Sequence, residues 1–135
     1  MSDYKKRYKR GMDLLKKMGR EHLMMEQKDL SPDMYDMSVG HLFGDVWARK
    51  GLSLRDRQLV TLAANIALAR PSGNYSHYRS AQHIGIKPEE IFEVMIQVAH
   101  YAGWPTLSHA VRQYTAVMKE DEEIRKGKKK KPTLV

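Results

Sequence analysis

From Leu59 to Leu68 the chain reads LVTLAANIAL, an uncharged run that is apolar nearly all the way round. A helix of that kind in a water-soluble protein has to be covered on several sides, so the rest of the chain must supply the cover. No stretch shows sustained period-two alternation rich in β-branched residues, whereas apolar residues recur every three or four positions in several segments. The expected fold class is therefore all-α, a compact antiparallel bundle of about six to seven helices built around this central segment.

The flanking segments carry start and stop signals. A first helix is expected over Tyr4 to Gln27, with Met12, Leu15, Met18 and Leu23 on a ragged apolar stripe that Gly11 and Gly19 interrupt. At Ser31-Pro32-Asp33 a serine is placed to accept orphan backbone N–H groups, proline suits the first turn, and aspartate complements the positive end of the dipole. That helix should reach Trp47, with Val39, Leu42, Phe43, Val46 and Trp47 inward, and stop at Lys50-Gly51. Ser53 caps the central helix, and Pro71 to Asn74 turns into a short segment, Tyr75 to Ile84, that Gly85 ends. Lys87-Pro88-Glu89-Glu90 opens another helix, Gly103-Trp104-Pro105 breaks it, and a last helix follows from Thr106 to Glu123.

A chain of 135 residues is one ordinary domain, placed at 1–124. The remainder, 125–135, is a basic tail with too little to bury, expected to be disordered. That tail also explains the net charge of +8, because Arg125, Lys126 and Lys128 to Lys131 lie in it and every acidic residue precedes it. Outside it, 18 basic residues face 16 acidic ones, a balance of +2, and no aromatic-interleaved basic stripe accompanies the lysines. Nucleic acid is not the expected partner. The polar, Lys/Arg-rich stretch from Met1 to Arg10 reads as neither signal nor membrane span, so a cytoplasmic protein is expected. The absence of cysteine removes thiol chemistry, thiolate metal sites and disulfides together. The apolar surface, Trp104 included, exceeds what one small globule covers, which points to a homo-oligomer.

Two blocks carry a resemblance. GDVWARKGLSLRDRQLVTLA, from Gly44 to Ala63, resembles the carboxymuconolactone decarboxylase family segment Gly-acid-Val-Trp-x-Arg-x-Gly-Leu, with its Arg-rich turn and buried helix. SHYRSAQHIGIKPEEIFEVMIQVAHYAGWP, from Ser76 to Pro105, is similar to the family's His-x-Arg-x-Ala helix, Gly-hydrophobic-x-x-Glu-Glu turn and Gln-x-Ala-x-Tyr-Ala-Gly-x-Pro ending. Tyr8, Arg10 and Gly11 stand where the family has a Tyr-x-x-Gly start. The resemblance implies an alkylhydroperoxidase D-like helical fold assembled into trimers or hexamers. It further implies cofactor-free loss of carbon dioxide from 4-carboxymuconolactone, or a similar carboxylated lactone, in aromatic catabolism. The superfamily's peroxidases work through Cys-x-x-Cys, and that chemistry is excluded here by composition.

Such a decarboxylation needs a proton donor, an oxyanion site and an apolar wall. By the resemblance His77 is the donor, imidazole being the side chain that titrates near neutrality. Asp45 stands where the family usually has glutamate and is expected to orient His77; the plain alternative is an ion pair with Arg49. Arg55 and Arg57 are candidates for a substrate carboxylate, and Trp47, His100 and Trp104 complete the expected substrate contacts. Arg79, two residues from His77, falls about 200° round the helix and is read as structural. Gly73, His100 and His109 depart from the family pattern, which motivates the alternatives of a related hydrolase or isomerase, or of a non-catalytic binding protein. No metal site is expected, since His77, His100 and His109 would need three helix segments to converge.

Overall fold

The computed structural model describes residues 3–135; Met1 and Ser2, the start of the polar N-terminal stretch, lie outside the described residues. In chain order the elements are α1 (Asp3–Lys17), a 3-10 turn (Glu21–Met24), α2 (Met25–Leu30), α3 (Pro32–Asp36), a π-helix (Met37–Trp47), α4 (Leu54–Ala67), α5 (Tyr75–His83), α6 (Pro88–Ala102) and α7 (Trp104–Arg125). There is no strand among the described residues, so the class is all-α. None of the described helices is long and apolar enough to cross a membrane. The chain divides into two compact units, Met1–Arg57 and Gln58–Val135, with the division inside the first turn of α4.

In the first unit α1 lies against the π-helix, and two glycines permit the approach. A Cβ on Gly11 would meet the Val39 carbonyl, and one on Gly44 would meet the Arg7 carbonyl, both well inside contact distance. Gly11 therefore does not interrupt the helix as expected; it sits buried within α1 because its missing side chain is what the packing requires. The expected break comes instead at Gly19, whose φ of +68° ends the helix, and the chain continues through the 3-10 turn into α2. Ser31 Oγ accepts from the Met34 amide at 3.4 Å, so the expected cap forms and Pro32 opens α3.

Beyond Asp36 the helix widens into the π register, whose i→i+5 bonding changes which residues share a face. Tyr35, Val39, Phe43 and Trp47, four apart, all point inward together with Gly40 and Gly44. Leu42 and Val46, expected inward on α-helical spacing, are rotated out and stay 42 % and 36 % exposed.

In the second unit Leu62, Ile66, Tyr78, Ala81, Ile86, Ile91, Met95, Ala110 and Val117 form one continuous core drawn from α4, α5, α6, α7 and the loop before α6. Each large aliphatic side chain buried there contributes on the order of 1.5–3 kcal/mol. Local signals act as expected. At the end of the first unit Ser53 Oγ accepts from the Asp56 amide at 3.0 Å; in the second, Glu90 reaches back to the Lys87 amide at 2.9 Å, and Gly85 and Gly103 take positive φ. Of the run 59–68 only Leu62 and Ile66 are fully buried in the single chain, while Val60 and Leu68 are exposed.

The segment after α7 has no helix, yet it follows a defined course where disorder was expected. Lys129, Thr133 and Leu134 hydrogen-bond to Glu120, and the Gly73 amide donates to the Val135 carbonyl at 3.0 Å. A buried carboxylate, not apolar area, provides the attachment.

Candidate functional site

Helix α5 starts from Asn74, a fully buried residue whose carbonyl accepts from the His77 and Tyr78 amides at 3.1 and 3.2 Å. The Asn74 side chain is held in turn by Asn65 Nδ2 at 3.3 Å. Ser76, Tyr78, Ser80 and Ala81 face the core, which leaves His77 half-buried at the edge of that face. Burial pushes the neighbouring Tyr78 phenol far above its ordinary value, so it remains a neutral wall.

The ring of His77 is held by Gln58 from the first turns of α4, with Nε2 of the amide 3.2 Å from Nδ1. Gln58 is fully buried, and its Oε1 has no hydrogen-bond partner among the described residues. In one orientation the amide N–H donates to a bare Nδ1. Turned over, the amide presents Oε1 to an Nδ1–H, so one side chain serves both protonation forms of the ring. Gln58 was not among the residues singled out from sequence. The available signal was its position four residues before Leu62 and eight before Ile66, a polar side chain on the buried stripe of α4.

Asp45 lies in the first unit, on the π-helix, and its partners come from α1 and its own helix. Arg7 Nε is 2.8 Å away, Arg10 Nη2 2.9 Å and His41 Nδ1 3.6 Å. Desolvation opposes its charge, but Arg7, Arg10 and His41 together outweigh it and hold the carboxyl below its usual range. Arg10 also donates to the Gly44 carbonyl at 2.5 Å, tying the same corner to backbone.

The other expected residues are dispersed. Trp47 is buried and stacked on Phe43 with centroids 5.8 Å apart, part of the first unit's core. Arg55 is exposed in the first turn of α4, and Arg57 donates to the Arg49 carbonyl at 3.0 Å. His100 is exposed, donates from Nδ1 to the Ile96 carbonyl at 2.7 Å, and meets the Trp104 ring edge-on at 5.7 Å. Trp104 itself is 58 % exposed. His109 Nε2 reaches the Arg70 carbonyl at 3.1 Å. Among the described residues no three His, Asp or Glu side chains converge as a metal centre would require.

A cavity of about 610 Å³ lies in the first unit, lined by Tyr4, Tyr8, Lys28, Asp29, Pro32, Tyr35 and Asp36, and so contains none of the residues expected from sequence. Two of its phenols are bonded to each other, with Tyr8 and Tyr35 oxygens 2.6 Å apart, and Tyr4 donates to the Asp36 carboxylate at 2.5 Å. Burial, then the bond to Tyr8, raises the Tyr35 phenol well above its ordinary value.

Known proteins give this arrangement a context. The sequence is 29 % identical over 118 residues to the 4-carboxymuconolactone decarboxylase of Acinetobacter baylyi, an alignment covering 84 % of this chain and 88 % of that protein. The model of the carboxymuconolactone decarboxylase family matches residues 32–116, a span that includes the π-helix, Gln58, His77 and the break at Gly103. The chain belongs to the carboxymuconolactone decarboxylase family.

Proposed function

We propose that the chain is a cofactor-free carbon–carbon lyase acting on a small carboxylated lactone in the cytoplasm, with His77 as the proton donor. The observation that carries this reading is the half-buried imidazole of His77, fixed at Nδ1 by the buried amide of Gln58 on a helix inside the family-matched span. The relative's reaction, decarboxylation of 4-carboxymuconolactone, supplies the substrate class. In such a substrate the carboxylate sits on a carbon conjugated through the ring double bond to the lactone carbonyl. The bond to the carboxylate breaks, carbon dioxide leaves, and the electron pair passes into a dienolate with its charge on the carbonyl oxygen. Protonation at carbon then yields the enol-lactone. The imidazolium form carries on Nε2 the proton that last step needs while its Nδ1–H donates to Gln58 Oε1, and the neutral ring left after transfer keeps that Nδ1–H bond. Arg55 and Arg57, at the start of the same helix as Gln58, are the proposed anchors for the anionic substrate.

Asp45 takes a different place in this proposal. Its carboxylate is engaged by Arg7 and Arg10, and Gln58 occupies the position on Nδ1 expected of an orienting carboxylate. Its proposed role is to lock α1 to the π-helix. The departures from the family pattern at Gly73, His100 and His109 favour a substrate differing in part from that of the relative. The exposed apolar side chains Phe92, Ile96, Tyr101, Trp104 and Val111 support a homo-oligomer, trimer or hexamer, to be read by light scattering on the eluting protein. Carbon dioxide release from 4-carboxymuconolactone without added metal is the test of activity. Turnover by wild type that His77→Ala reduces by about 10²–10⁴-fold is expected, and no release from any small carboxylated lactone would reject the lyase.

A further inference from the structure

Arg79 matches the family's His-x-Arg pattern, yet it lies on the far side of α5 from His77 and the proposed chemistry makes no use of it. Its partners explain why it is there. The guanidinium donates from Nη2 to Glu120 at 2.5 Å and from Nε to Asp121 at 2.7 Å, and its Nη1 meets the Leu134 carbonyl. Glu120 on α7 is only 3 % exposed, and a carboxylate so far from water is costly unless its oxygens are fully bonded. Five donors meet that demand. Besides Arg79, they are Lys129 Nζ at 2.6 Å, the Thr133 amide at 2.7 Å, Thr133 Oγ1 at 2.6 Å and the Leu134 amide at 3.1 Å. Four of the five come from the segment after α7, which sequence composition alone would leave solvated. Lys129 also donates to Thr133 Oγ1 at 2.8 Å, closing the loop on itself.

The next residue carries the attachment to the start of α5. The Val135 carbonyl accepts from the Gly73 amide at 3.0 Å, and Gly73, at a φ of +83°, immediately precedes the Asn74 carbonyl that begins the His77 helix. We propose that Glu120 and Arg79 are a positioning anchor that clamps residues 126–135 as a strap against α5 and α7, fixing the turn from which the His77 helix starts. The consequence for turnover rests on the reading of His77 given above; the strap itself does not.

The test uses the full chain without substrate. Amide hydrogen exchange followed by NMR should show Gly73, Thr133 and Leu134 protected at least about tenfold over a free peptide. Truncation after Gly127 and Glu120→Gln should each accelerate exchange at Gly73 about tenfold and displace the His77 ring-proton resonances, with α1 and the π-helix unchanged. Arg79→Lys, which keeps the charge but offers one donor nitrogen in place of three, should fall between. Exchange of Thr133 and Leu134 at free-peptide rates in the wild type would overturn the proposal without any variant. So would a truncated chain with unaltered His77 resonances. Since no readout involves turnover, loss of the strap and absence of decarboxylation are separate results.

Discussion

The two units specify their packing in opposite ways. In the first, α1 meets the π-helix where side chains are missing, at Gly11 and Gly44, and the corner is closed by Asp45 with Arg7 and Arg10. In the second, side chains fill the space, from Leu62 and Ile66 to Ile91 and Met95, and one buried carboxylate gathers the strap. Packing by omission tolerates no added atom, because the obstruction is backbone. Packing by filling tolerates a lost methyl, because neighbours relax partly into the gap.

That contrast breaks first at Gly11. Alanine in a helix interior ordinarily stabilises relative to glycine, by about 1 kcal/mol. Here Gly11→Ala is expected to destabilise by about 3 kcal/mol, read from urea unfolding, since the new methyl meets the Val39 carbonyl. A neutral or stabilised variant would mean the helices are not so close. Next in size is Gln58→Leu, which leaves the His77 ring without its buried amide and should lower turnover roughly ten- to hundredfold while the chain stays folded. In the filled core, Ile91→Val should cost only about 1 kcal/mol, and a loss equal to that of Gly11→Ala would erase the distinction between the units.

Acid separates them further. Desolvation would raise Glu120, but Lys129, Thr133 and Leu134 together hold it far below the ordinary carboxylate range. A carboxyl depressed in the folded state contributes stability above its unfolded value, near 4.3, and loses it as pH falls below about 5. Wild type should thus lose unfolding temperature on acidification faster than Glu120→Gln; parallel profiles would deny Glu120 its partners. The smallest effect is expected at Asp45→Asn, where the group is partly solvated and exposed pairs contribute little. Turnover falling there as far as in His77→Ala would return Asp45 to the chemistry.

What the sequence made legible was local. Ser31-Pro32, Ser53 and the Lys87 to Glu90 turn carry their own hydrogen-bond partners, so their caps form as read. The π register was not legible, because the apolar spacing along 37–47 reads equally as an ordinary α-helix; Leu42 and Val46 were accordingly placed on the wrong face. The partners of Asp45, 35 and 38 positions away in Arg10 and Arg7, have no signature in a single sequence. The strap was missed for a similar reason: composition reports its lysines but not the buried Glu120 that receives Lys129. His77 was found through the family pattern, while Gln58, its immediate partner, lies just before the apolar run 59–68 and was passed over as a polar residue of the first turns of α4.

The central claim is that the imidazole at position 77 returns the proton after carbon dioxide leaves. Steady-state carbon dioxide release from 4-carboxymuconolactone, measured in metal-free buffer for wild type beside a folded His77→Ala, tests it most directly. The account predicts a fall of about 10²–10⁴-fold in kcat. A variant that releases carbon dioxide at the wild-type rate would contradict it.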